Sequence, residues 1–277
     1  ELGSALPLTA VFQAPTIREL GRWIEKHEAA ANSLLEAIAF PLSTGPGLPI
    51  FCFPPHGAHA IAYLPLAREL QGWTLHGLNY IAGRSSLADF VAAITEIQPE
   101  GPYVFLGYSG GGNLAFDVAK AFVAAGRIVS DIIMLDSHRR LEPGAASDSA
   151  LQEDIDRFLS DRALEPYLVG RDSRDRVAEN ALAYARYLMQ VVDDGAVPAR
   201  IHLIASADEL PECSRDWRGG LRSRPAWAQA TTAGFRLLQG SGSHDEMLQP
   251  PHLARNAAMF GSILSEIGCT RSVNSAL

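Results

Sequence analysis

The sequence predicts an α/β protein with a mostly parallel sheet and helices on both faces. Two observations predict this class. Short apolar runs bounded by turn residues recur along the chain, as they do in buried parallel strands. Stretches with helical spacing of apolar residues separate these runs, so that strand and helix alternate. A chain of 277 residues that is 47% hydrophobic can form one large domain with a small appendage.

The pattern assigns each element in chain order. It predicts strands at Ile50–Phe53, Thr74–Leu78, Tyr103–Leu106, Ile132–Leu135, Ile201–Ala205 and Phe235–Leu238. It predicts helices at Ala60–Leu70, Ser86–Ile97, Leu114–Ala125 and about His252–Ile267. One region breaks the alternation, because residues 139–197 are helical in pattern and contain no predicted strand. In a regular α/β domain such an insertion is typical of a lid.

Composition and charge exclude several function classes. Charged residues make up only 19% of the chain and the net charge is −8, which argues against a nucleic-acid surface. No stretch of the sequence approaches the roughly 20 apolar residues of a membrane span. The three cysteines lack the spacing of a disulfide framework or a zinc site. We therefore expect a cytoplasmic protein with no metal site.

The strongest catalytic signal is Gly107-Tyr108-Ser109-Gly110-Gly111, which follows a predicted strand and precedes a predicted helix. In that setting, G-x-S-x-G predicts a nucleophile elbow and therefore an α/β-hydrolase fold. The sharp turn strains the backbone of Ser109, so positions 107 and 111 need residues without side chains. The alternative interpretation is a tight turn that uses glycines without any catalytic purpose.

The base and the acid are expected after Ser109 in the chain, at the same edge of the sheet. His244 lies in a loop rich in glycine and serine, between the last predicted strand and the last helix, which favours it as the base. Two residues qualify as the acid, because Asp136 and Asp208 each follow a predicted strand. Spacing alone leaves this choice open.

An acyl-transfer site also needs two N–H donors for the oxyanion. One is expected from Gly110, the residue after the nucleophile. The other is expected from the loop after the first parallel strand, Phe53-Pro54-Pro55-His56-Gly57. Because proline has no N–H group, the first amide available in this loop is that of His56.

Taken together, these residues resemble the terminal thioesterase domains of nonribosomal peptide synthetases of the surfactin synthetase type. The resemblance extends from about Phe40 to Ile267. It rests on Phe53-Pro54-Pro55, Gln98-Pro99-Glu100-Gly101-Pro102, Gly107-Tyr108-Ser109, Gly126-Arg127-Ile128-Val129, Ile132–Ser137 and His244–Gln249. In that family the acid follows the strand directly after the nucleophile helix, which favours Asp136 over Asp208.

The resemblance also implies a domain organisation. Residues 1–30 resemble the C-terminal remnant of a peptidyl carrier domain, and residues 31–48 would be a linker. Residues 49–267 would form the α/β-hydrolase thioesterase domain, and residues 268–277 a flexible tail. The implied partner is a carrier domain in cis, whose phosphopantetheine arm delivers a peptidyl thioester. The thioesterase domain itself is expected to bind no cofactor.

The implied reaction is acyl transfer to Ser109, with His244 as the base and Asp136 as the acid. Water would then release a linear peptide acid. One alternative is a macrocyclising thioesterase with the same triad. An alternative of another class is a non-catalytic module that uses this fold to bind acyl chains or partners.

One residue departs from the surfactin type, which carries an aromatic residue where His138 stands. His138 lies two positions after Asp136, at the rim of the expected site. In this histidine the sequence resembles the nocardicin type of terminal thioesterase, which combines epimerisation with hydrolysis. A histidine that titrates near neutrality could remove and return the acidic α-proton of the C-terminal residue. His138 is therefore a candidate epimerisation base, although a solvent-facing loop histidine is the alternative.

Overall fold

The computed structural model describes residues 33–160, 171–209, 211–216 and 218–274, together with residues 16, 18, 19 and 22. Apart from those isolated positions, the carrier-like residues 1–30 lie outside the described residues. None of the described helices is both long and apolar enough to cross a bilayer.

The strands, in chain order, are β1 (Ala39–Ser43), β2 (Ile50–Phe53), β3 (Leu75–Leu78), β4 (Tyr103–Tyr108), β5 (Val129–Leu135), β6 (Arg139–Arg140), β7 (Arg200–Ala205), β8 (Ser214–Arg215), β9 (Leu221–Ser223) and β10 (Phe235–Gln239). Seven form the main sheet in the order β1-β3-β2-β4-β5-β7-β10. The β1–β3 pair is antiparallel and the other pairs are parallel. The predicted mostly parallel sheet is confirmed.

Two predictions about strands are wrong. Residues 31–48 are not wholly a linker, because β1 pairs with β3 at the edge of the main sheet. The region 139–197 is not free of strands, because β6 joins β9 and β8 in a separate antiparallel sheet. The strands of this second sheet have two or three residues and are too short to show a period of apolar residues, so the sequence pattern could not reveal them.

The helices are α1 (Leu64–Glu69), α2 (Leu87–Ile97), α3 (Gly110–Ala124), α4 (Asp148–Leu159), α5 (Arg171–Gln190) and α6 (Leu253–Asn274). The predicted helix Ala60–Leu70 divides into a 3-10 turn at Ala60–Tyr63 followed by α1. The predicted tail is wrong for residues 268–274, which continue α6. A single glycine inside a helix costs only about 1 kcal/mol, so Gly268 does not end it.

The hydrophobic core lies on both faces of the sheet. Helices α2 and α3 supply Phe90, Leu114 and Phe122 to one face. Helices α1 and α6 supply Leu66, Phe260 and others to the opposite face. The third cluster joins α4 to α5, in the region predicted as a lid, through Leu151, Ile155, Leu159, Val177, Ala181 and Ala185.

Candidate active site

The chain turns sharply at Ser109, between the end of β4 and the start of α3. Ser109 has φ 56° and ψ −124°, a conformation that costs free energy for a residue with a side chain. A Cβ atom on Gly107 would overlap the carbonyl group of Gly111, and a Cβ atom on Gly111 would overlap the carbonyl oxygen of Phe53. The two flanking glycines are therefore required by close backbone contact. This is the geometry expected of a nucleophile elbow.

Three predicted residues form one hydrogen-bonded chain. The Nε2 atom of His244 lies 3.1 Å from the Oγ atom of Ser109. Its Nδ1 atom lies 2.6 Å from Oδ2 of Asp136. Ser109 is partly accessible, and the His244 side chain is 36% exposed, so an acyl group can approach both. The arrangement suits proton transfer from the serine hydroxyl to the imidazole.

Asp136 is buried at the end of β5 and remains ionised. Burial raises the pKa of this carboxyl, but hydrogen bonds from His244 and from the backbone of Ser206, with the charge of Arg224, lower it to about 2. The Ser206 amide donates to Oδ1 over 2.9 Å. A carboxylate held in this way can orient the imidazole and stabilise its protonated form.

Arg224 is a residue of the site that the sequence analysis missed. Its Nη2 atom lies 2.7 Å from Oδ1 of Asp136 and also donates to the hydroxyl of Ser206 over 2.7 Å. A further donation, over 3.2 Å, reaches the carbonyl of Asp208. Arg224 thus joins the loop after β5 to the loop after β7. It follows the three-residue strand β9 and belongs to no motif, so the sequence contains no signal for this role.

Asp208, the second candidate acid, contacts the backbone of His244 instead of its imidazole. Its Oδ2 atom accepts a hydrogen bond from the His244 amide over 2.8 Å. It also accepts one from the hydroxyl of Ser206 over 3.0 Å. Asp208 therefore braces the loop that carries the imidazole, and the structure pairs His244 with Asp136.

Two tyrosines, also missed from sequence, hold the elbow and the histidine loop. The hydroxyl of Tyr63 donates to the carbonyl of Phe53 over 2.6 Å and accepts from the amide of Tyr108 over 2.7 Å. The hydroxyl of Tyr108 donates to the carbonyl of His244, and the two rings lie 5.2 Å apart. The end of β2, the elbow and the His244 loop are linked by these side chains.

Both amides predicted for the oxyanion hole lack an acceptor in the described part of the chain. The N–H groups of His56 and Gly110 donate no hydrogen bond to a described residue, so they are available to a ligand. The side chain of His56 contacts α4, with Nε2 2.7 Å from Oδ2 of Asp154. The ring of Phe158, also on α4, fills the space above Gly57. The loop that contains His56 and Gly57 therefore packs against α4, the first helix of the predicted lid.

His138 lies beside this site. Its Nε2 atom is buried and makes no hydrogen bond within the described residues. Burial, followed by the positive charges of Arg222 and Arg224, lowers the pKa of His138 to about 3. The expectation that His138 titrates near neutrality is therefore wrong for the site as it stands.

The triad opens onto a small cavity of about 30 Å³. This volume suits one or two water molecules and is too small for a peptide. Besides Ser109, Asp136 and His244, the cavity is lined by Gly110, Asn113, His138, Arg140 and Arg222.

Comparisons with known proteins agree with this geometry. A family model described as a thioesterase domain matches residues 48–260. Tyrocidine synthase 3 from Brevibacillus parabrevis is 32% identical over 279 residues, an alignment that covers 95% of this chain and 4% of that protein. The chain therefore spans a small fraction of the length of this relative.

Solved structures give the same result. The thioesterase domain SrfTE, described in connection with cyclization of the lipopeptide antibiotic surfactin, matches with a TM-score of 0.73 and 28% identity over 83% of this chain and 96% of that one. The NocB thioesterase domain, in covalent complex with a fluorophosphonate nocardicin G analog, matches with a TM-score of 0.60 and 22% identity. That alignment covers 82% of this chain and 99% of the other, and at this identity the likeness shows the fold alone.

Proposed function

This chain belongs to the thioesterase domain family, and we propose that it releases a nonribosomal peptide from a carrier-bound thioester through an acyl-enzyme on Ser109. The observation that carries the proposal is the hydrogen-bonded chain from Ser109 through His244 to Asp136. The substrate would arrive on the phosphopantetheine arm of a peptidyl carrier domain in cis. The likeness to a nonribosomal peptide synthetase over nearly the whole chain supports this delivery.

In the first half-reaction, His244 removes the proton from Ser109 as the serine oxygen attacks the thioester carbonyl. The negative charge that develops on the carbonyl oxygen is stabilised by the amides of Gly110 and His56. The carbon–sulfur bond then breaks, and the protonated imidazole returns the proton to the leaving thiolate. Asp136 stabilises the imidazolium while it exists.

In the second half-reaction, we propose that water attacks the acyl-enzyme and releases a linear acid. The cavity beside Ser109 has room for one or two waters, and polar side chains line it. Macrocyclisation would use the same triad, with a nucleophile of the peptide in place of water. Product mass distinguishes the two, because the linear acid is heavier than the ring by one water.

Intact-protein mass spectrometry tests the core of the proposal. Wild type incubated with peptidyl thioesters should gain the mass of the acyl group and then lose it as product accumulates. Ser109→Ala should gain no mass and release no product. Failure of a fluorophosphonate probe to label Ser109 in the folded wild type would contradict the proposal and favour a non-catalytic acyl- or partner-binding module.

We also propose that His138 epimerises the C-terminal residue before release. Its unpartnered Nε2 atom beside the cavity supports the role, because a neutral imidazole there can accept an α-proton. The lowered pKa makes this base weak, so proton removal depends on stabilisation of the enolate, for which the amides of Gly110 and His56 are available.

The test compares wild type with His138→Gln on an L-configured peptidyl thioester in deuterated water. We expect wild type to invert the C-terminal centre and to incorporate one deuteron there. The variant should release the unchanged stereoisomer. If His138→Gln inverts the centre at the wild-type rate, the assignment is wrong.

A further inference from the structure

A pair of arginines faces the catalytic cavity in a geometry that costs stability. Arg140 on β6 and Arg222 on β9 are directly opposite each other in the antiparallel pair. Both line the cavity beside Ser109. Like charges directly opposite on neighbouring strands destabilise a sheet. Departures of this kind from local rules concentrate at functional sites.

The arginines at and beside the cavity differ in their ion pairs. Arg140 forms an ion pair with Asp216 over 3.2 Å, and Arg224 forms one with Asp136 over 2.7 Å. The side chain of Arg222 makes no hydrogen bond or ion pair with another described residue, and its Nε atom is buried. Of these three arginines, only Arg222 has no carboxylate of a described residue within ion-pair distance, and Asp216 and Asp136 act on its charge from farther away.

The unused donors around the cavity point to an anionic ligand. Two guanidinium groups offer planar forks of N–H donors, which match the oxygens of a carboxylate. The Nε atoms of both Arg140 and Arg222 are buried without a partner in the described part of the molecule. A buried donor without a partner carries a desolvation cost that a bound anion would offset.

The position of the pair identifies which part of the substrate would carry the charge. Ser109 and both arginines line one cavity of about 30 Å³, so the anion lies close to the reacting carbonyl. The phosphate of a carrier arm is separated from the thioester by the whole length of pantetheine and leaves with the thiol. The acyl group stays at Ser109 and can carry a charge near its carbonyl.

We propose that Arg222, together with Arg140, selects acyl groups that carry a carboxylate on the residue bound to Ser109 or on the residue before it. This assignment rests on the proposed thioesterase function, because it names the substrate class of the same site. It makes Arg222 a specificity-determining residue.

The test uses peptidyl thioesters that differ only in glutamate or glutamine, first at the C-terminal residue and then at the preceding one. The measured quantity is the ratio of kcat/KM for the acidic over the neutral member of each pair. In wild type we expect a ratio of about 10 to 100 in one of the two positions, the range for a hydrogen bond to a charged group. Arg222→Gln should bring that ratio close to one, and Arg222→Lys should restore part of it.

Arg236→Gln is the matched control, because Arg236 is exposed and forms an ion pair with Glu266 instead of lining the cavity. It should keep the wild-type ratio. A wild-type ratio near one in both positions overturns the proposal. The proposal is also overturned if Arg222→Gln leaves the ratio unchanged. If the variant loses kcat/KM equally on the acidic and the neutral substrate, Arg222 supports the oxyanion or the fold instead of selecting the substrate.

A binding measurement separates this proposal from the thioesterase function. On a Ser109→Ala background, calorimetry with unreactive amide analogues of the same pairs should show the acidic preference and its loss with Arg222→Gln. A preference for acidic analogues, without acyl-enzyme in wild type, would refute catalysis and keep the anion site. If wild type forms the acyl-enzyme but shows no preference for acidic analogues, the anion site is refuted and the thioesterase function stands.

Discussion

Replacing Arg224 by glutamine tests how the site keeps Asp136 ionised. Arg224 lies 2.7 Å from Oδ1 of Asp136, and the two side chains are only 12% and 1% exposed. The variant keeps a hydrogen-bonding group of similar length but removes the charge. Asp136 then retains only the donors from His244 and from the Ser206 backbone.

The expected loss follows from the burial of the pair. Breaking a buried ion pair by removing one partner costs about 3–5 kcal/mol of unfolding free energy. We take the lower end, because Asp136 keeps two other donors. Part of this loss appears as a shift in the pKa of Asp136, because one pKa unit corresponds to about 1.4 kcal/mol. The value would rise from about 2 towards the ordinary value of 3.8.

The pH dependence has a definite sign. In wild type the pKa of Asp136 is lower in the folded than in the unfolded chain, so the group contributes stability that is present above pH 3.8 and lost as the pH falls through about 2. In Arg224→Gln the folded-state pKa rises, but the hydrogen bonds from His244 and Ser206 still hold it below 3.8, so only part of this contribution is lost. The difference in stability between the proteins should therefore be largest near neutral pH and shrink between pH 4 and pH 2.

Thermal unfolding measures the effect. A loss of about 3 kcal/mol lowers Tm by roughly 6–12 °C for a domain of this size. Because Asp136 orients the imidazole, kcat should also fall by about 10- to 100-fold. Arg236→Gln, which breaks an exposed pair, should cost less than about 1 kcal/mol. If Arg224→Gln matches this control in Tm and keeps wild-type kcat, the reasoning about the buried pair is wrong.

Three further predictions concern the lid and its surroundings. Asp154→Asn removes the charge that holds His56 to α4. Labelling of Ser109 by a fluorophosphonate should slow, but by less than about tenfold, because the pair is partly exposed. An unchanged labelling rate would show that the contact between the lid and the His56 loop does not affect the site. Gly110→Ala places a Cβ atom against Leu188 of α5, so it should lower Tm. Adding Leu188→Ala to the same chain should recover part of this loss in Tm. If the two substitutions lower Tm additively, the contact is contradicted. Burial raises the pKa of Asp193 to about 7, so its stability cost grows as the pH rises from 3.8 to 7. The free energy of unfolding of Asp193→Asn minus that of wild type, measured with urea, should be larger at pH 8 than at pH 5. The opposite trend would refute the assignment.

The sequence by itself determined the fold class and the candidate nucleophile. Apolar runs of four or five residues are local signals, and each predicted strand is present in the sheet. Ser109 could be identified because the elbow is a local structure, with its glycines, strand and helix next to one another in the chain. His244 could be predicted for a related reason, because its loop directly follows the last predicted strand.

Only the tertiary structure decided how the acid and the binding groups are arranged. Spacing allowed both Asp136 and Asp208, and the choice depends on which carboxylate reaches Nδ1 of a histidine 108 positions away in the chain. Arg222 and Arg224 had no signal in the sequence, because β9, which contains Arg222 and directly precedes Arg224, has three residues and no period. Contacts between distant segments depend on how the elements pack, and packing leaves no pattern within either segment alone.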